Sequence, residues 1–162
     1  MNKMMMIIVA GVISIGILAS VGYEAYTFHI NCGGHLERAA NANSIELAKK
    51  ELDTALTYIE EKGLTKGNTA IFFETPANDL GYWYENLNAT RNEVTLLSGQ
   101  EITPLETSNV LMKLRETVLS SNGTVTKPFW ISLHPNQFFW LAFMLLFVIV
   151  DIAVFVYVVN DI

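Results

Sequence analysis

The stretch Phe138-Phe-Trp-Leu-Ala-Phe-Met-Leu-Leu-Phe-Val-Ile-Val-Asp-Ile-Ala-Val-Phe-Val-Tyr-Val-Val159 is apolar throughout except for Asp151. At 1.5 Å rise per residue, about 20 such residues cross the roughly 30 Å hydrocarbon core of a bilayer. Pro135, Asn136 and Gln137 stand before it as helix-start residues at headgroup level, and Trp140 falls in an aromatic belt. The stretch reads as a membrane-spanning helix over 138–159.

A second apolar stretch lies at the other end. Residues 4–23, from Met4 to Tyr23, carry no charge. They read as another span, an uncleaved anchor. The rival reading is a signal peptide with Lys3 as its basic region and Ser20-Val-Gly22 as its cleavage site. Lys3 is the sole basic side chain on the short tails, so both termini are expected on the cytoplasmic side and the middle of the chain outside.

The composition agrees with two spans. The chain has 162 residues, of which 51% are hydrophobic and only 16% charged, against roughly 25% charged in an ordinary soluble domain. Ten Lys/Arg face 16 Asp/Glu. With no basic cluster, the chain lacks an electrostatic footprint for nucleic acid or anionic lipid.

Residues 24–137 form the middle segment, and three helices are legible in it. The first is expected over about 35–62, where Leu36, Ala40, Leu47, Ala48, Leu52, Ala55, Leu56 and Ile59 recur largely at three- and four-residue steps. Asn43-Ser-Ile-Glu46 resembles a capping box that starts or bends it, and Gly63 ends it. The second is expected over 79–98, with Leu80, Trp83, Tyr84, Leu87, Val94 and Leu97 on one stripe and Pro76 and Asp79 as its start. The third starts at Thr103-Pro-Leu-Glu106, a capping box with proline at the first helical position, and stops at Asn122-Gly123. Asn68 to Thr75 looks extended. The expected fold is mainly α: two transmembrane helices flanking a small extracytoplasmic helical bundle with one short extended segment.

Few residues point to chemistry. Asp151 interrupts its span, and a carboxylate at a span's centre costs about 2.5–3.5 kcal/mol on insertion scales. The first span holds no basic partner, so a counter-charge is expected from another subunit. The plainer reading shifts the span to 129–150 and leaves Asp151 at the interface. Ala10 with Ser14, and Gly16 with Ser20, are small-xxx-small pairs that permit close helix contact with a partner or with the second span.

His29, Cys32 and His35 stand three apart after the first span, and His134 precedes the second. Imidazoles with a thiolate suit zinc or copper. Ordinary interfacial histidines and a buried inert thiol explain the same residues. Tyr82-Trp83-Tyr84 concentrates aromatic surface that stacks a sugar or holds a cation, with core packing as the alternative for Trp83. There is no phosphate loop, no zinc-protease motif and no nucleophile elbow.

Two stretches, Asn31-Cys-Gly-Gly-His-Leu-Glu-Arg-Ala-Ala-Asn-Ala-Asn-Ser44 and Glu74-Thr-Pro-Ala-Asn-Asp-Leu-Gly-Tyr-Trp-Tyr-Glu-Asn-Leu87, resemble a group of small uncharacterised bacterial membrane-anchored proteins. The resemblance covers Asn31 to Leu119. It implies a bacterial envelope location, the inner membrane, and no particular activity. The layout of span, bundle, span also resembles the sensory half of bacterial transmembrane receptors, without a signalling domain after Val159.

The expected function is therefore a non-enzymatic accessory or structural subunit of a larger membrane assembly. It needs no cofactor and has the bilayer and other membrane subunits, or its own copies, as partners. The alternatives are a ligand-sensing module with an extracytoplasmic pocket and a metal-binding accessory protein.

Overall fold

The computed structural model describes residues 3–159, so the tails on which the orientation reading rests lie outside it except for the backbone of Lys3. The chain is mainly helical. In order come α1 (Lys3–Phe28), a π-turn (His29–Gly33), α2 (Gly34–Ala40), α3 (Ile45–Glu61), α4 (Leu80–Leu97), α5 (Pro104–Val118) and α6 (Gln137–Val159). Among the described residues there is no strand. The segment expected to be extended makes a single bridge, Asn68 with Asp79, and a second joins Leu119 to Val125. The chain divides into two compact units, one of residues 1–26 with 132–162, the other of residues 27–131.

In the first unit α1 and α6 are both long and apolar enough to cross a membrane. Each has one narrow stripe that is less exposed than the rest, buried at Ala10 and Ile17 of α1 and only half-buried along α6. On α1 it runs through Met6, Ala10, Ser14, Ile17 and Val21; on α6 through Leu141, Met144, Phe147, Asp151 and Val154. Steps of three and four residues keep each stripe on one helix face. The remaining faces are bare: Ile15 and Leu18 on α1, and Ile149 and Phe155 on α6, are more than half exposed. Two helices in water would be pulled together over a broader area, since burial stabilises by about 25 cal/mol per Å². Bare apolar flanks of this extent suit a hydrocarbon surround.

The second unit has its own core, built where α2, α3, α4 and α5 pack together. Leu36, Leu52, Leu56, Ile59, Leu80 and Leu114 are all buried in it. The first predicted helix is two. α2 ends at Ala40, and α3 starts after Ser44, whose hydroxyl accepts from the Leu47 amide at 3.2 Å. The cap is thus Ser44 rather than Asn43, and no glutamate stands three residues on to complete a box.

The end of α3 follows the sequence. Gly63 takes φ +68°, its amide donates to the Glu60 carbonyl, and the Leu64 amide donates to the Ile59 carbonyl. That is a Schellman closure, and the buried Leu64 and Ile59 supply its apolar contact.

Asp79 caps α4 and Thr103 with Glu106 makes the capping box of α5, as expected. α5 ends at Val118, four residues before the predicted stop. There the chain turns, and the Thr126 amide donates to the Val118 carbonyl at 2.8 Å. Ion pairs tie the bundle outside its core. Asp53 on α3 meets Arg91 on α4 at 2.7 Å, and Glu93 on α4 meets Lys113 on α5 at 2.6 Å.

Phe72 and Phe73 contribute nothing to this core, being 80% and 85% exposed. Leu56→Ala is expected to cost about 2–5 kcal/mol through the cavity it opens, whereas Phe72→Ser should stay within about 0.5 kcal/mol. Thermal melts of the full chain in mild detergent, followed by circular dichroism, separate the two.

Candidate functional site

Asp151 finds a partner within its own chain. The Ser14 hydroxyl donates to its Oδ2 at 2.7 Å, from α1 to α6. The sequence reading sought a counter-charge in another subunit because the first span is uncharged; the near partner is a neutral hydroxyl, a signal available in the small residues of that span. α6 begins at Gln137, so Asp151 lies fourteen residues in, about 21 Å along the axis. This is not a helix end, and the shifted register that would leave Asp151 at an interface does not match α6.

The small residues divide. Ala10 and Ser14 lie on the stripe that meets α6. Gly16 and Ser20 are exposed, and the Ser20 hydroxyl donates to the Gly16 carbonyl of its own helix at 2.9 Å.

The π-turn sorts the histidines and the cysteine. Its wide ring brings the His29 carbonyl close to Gly34, where a Cβ would stand 3.2 Å from that oxygen. His29 is exposed, whereas Cys32 is fully buried. Burial pushes the Cys32 thiol up to about 12, with the charge of Lys127 opposing weakly. A thiol held protonated is neither nucleophile nor ready metal ligand.

His35 turns to a different partner set. Its Nδ1 lies 2.7 Å from Glu51 Oε2 and 2.7 Å from Arg38 Nη2, and Arg38 Nε donates to the same Glu51 oxygen at 3.0 Å. Burial favours the neutral Glu51 acid, but hydrogen bonds from His35 and Arg38 outweigh it and hold the carboxyl below its usual range. Asp53 is held low in the same way by Lys49 and Arg91. His134, in the other unit, is half-buried; burial lowers its pKa, and a hydrogen bond with Gln137 opposes that. Among the described residues no group of three or more His, Cys, Asp or Glu gathers as a metal cluster.

Of the aromatic triplet, two residues share a cleft. It measures about 420 Å³ and runs between the start of α4 and the Thr126–Pro128 segment. Trp83 forms part of its lining; its indole nitrogen donates to the Thr126 carbonyl at 2.8 Å, which fixes that wall. Tyr82 lines it and stays 65% exposed. Tyr84 points elsewhere, and its hydroxyl donates to Glu60 at 2.8 Å. Asp79, close to the triplet in sequence, and Lys127 complete the charged lining; Lys127 was not legible there because 43 residues separate Trp83 from Thr126.

Comparison of the chain with protein-family models, with curated proteins and with solved structures finds no match.

Two outcomes follow from these environments. Cys32 should resist iodoacetamide in the folded chain at pH 8 and react stoichiometrically once unfolded, as read by intact mass. The stability that Glu51 and Asp53 add is full above the ordinary carboxylate range of about 4 and is lost as the pH falls through their lowered folded values. Melting temperature should therefore drop on acidification, and less steeply in Glu51→Gln, which starts about 1–3 kcal/mol less stable.

Proposed function

We propose that this chain is a non-enzymatic accessory subunit of a membrane assembly. Its two spans carry a helical domain outside the cytoplasm, and it docks through Asp151 onto a further transmembrane helix. The observation that carries this reading is the half-satisfied carboxylate. Asp151 Oδ2 accepts from Ser14, while among the described residues Oδ1 has no hydrogen-bond partner. An ionised carboxylate has about four lone-pair sites.

The magnitudes point the same way. An aspartate in mid-span costs about 2.5–3.5 kcal/mol, and an interhelical hydrogen bond in a bilayer returns about 0.6 kcal/mol, at most about 1.7. A donor or cation on another helix offsets the remainder. The bare apolar flanks of α1 and α6 leave room for such a helix.

Asp151→Asn keeps an acceptor for Ser14 and removes the charge. We expect this variant, and Asp151→Leu, to lose at least about 90% of the stoichiometric partner that co-purifies with the wild type in mild detergent. Helical content should be unchanged. Full retention of the partner by both variants would sink the docking reading.

A further inference from the structure

The cleft beside α4 carries two opposite charges that do not neutralise each other. Asp79 Oδ1 accepts from the Tyr82 amide at 3.0 Å, and among the described residues no basic group lies within ion-pair distance of its carboxylate. Lys127 has no carboxylate within that distance either; its ammonium sits 4.9 Å from the centre of the Phe28 ring. The same cleft is lined mostly by apolar surface, including the buried Trp83 and Leu87 together with Pro76 and Pro128.

Each feature narrows the occupant. At about 420 Å³ the cleft falls within the roughly 300–1,000 Å³ typical of small-molecule sites. A neutral apolar ligand would strip water from two charges and return nothing. A simple cation suits Asp79 and the exposed ring of Tyr82 but is repelled by Lys127; a simple anion meets the reverse. A molecule with both charges and an apolar body answers all three demands.

We propose that this cleft binds a small zwitterion of the apolar amino-acid class. Its ammonium lies toward Asp79 and Tyr82, its carboxylate toward Lys127, and its side chain over Trp83 and Leu87. The assignment is independent of how the spans dock.

The test is calorimetric titration of the full chain in detergent micelles with L-leucine and L-phenylalanine, then with N-acetyl-L-leucine and L-leucinamide, which each lack one charge. Saturable binding of at least one free amino acid is expected, with a Kd of about 1 mM or tighter, and about tenfold or more weaker binding of each blocked form. Asp79→Asn retains a good helix cap and should bring L-leucine down to the level of the N-acetyl form. Lys127→Gln should bring it down to that of the amide. The blocked ligands probe the unaltered protein, so the test survives a variant that fails to fold. No saturable heat from either amino acid overturns the proposal. So does equal binding of the free and blocked forms, which would leave a ligand cleft of another class.

Discussion

A carboxylate inside an apolar helix constrains everything around it. Asp151 is half-buried on the face of α6 that meets α1, and its Oδ2 accepts from the Ser14 hydroxyl of that helix. That bond lies at the centre of the face that α1 and α6 share. Ala10 and Ile17 then fall on the same buried face as Ser14, one turn to either side, and Phe147 and Val154 flank Asp151 on α6. With so narrow a shared stripe, the unit gains little from mutual burial and leaves its flanks to lipid or to other helices.

The second unit obeys the opposite economy. It buries a continuous leucine-rich core, spends its charges on inter-helix pairs at the surface, and closes its helices with local devices: the Ser44 cap, the Schellman turn at Gly63 and the Thr103–Glu106 box. Its polar exceptions are the groups with distinct chemistry. Glu51 is bonded by His35 and Arg38, whereas Asp79 and Lys127 line a cleft and, among the described residues, neither forms an ion pair. The same distinction separates a structural charge from one available to a ligand.

Much of this was legible in the sequence because the signals were local. The two long apolar helices, the caps at Asp79 and Thr103 and the stop at Gly63 follow from residues within a few positions of one another. The break at Asn41–Ser44 was less legible, because helical periodicity continues across it and a serine without a following glutamate is a weak start signal. The Ser14–Asp151 bond joins residues 137 apart, and no spacing rule reaches that far. Of the two readings of the histidine–cysteine ladder, Cys32 matches the buried thiol: three-residue spacing implies one helix face, but the π-turn places Cys32 in the core and leaves His29 outside.

The central claim is that Asp151 is completed by another subunit. Native mass spectrometry of the untagged chain, taken from its own membrane in mild detergent, tests it most directly. The account predicts a defined complex well above the 18.1 kDa of a single chain, with fixed stoichiometry and a second component or copy whose transmembrane helix carries a donor or cation. A bare monomer of 18.1 kDa under conditions that preserve other membrane complexes would contradict it.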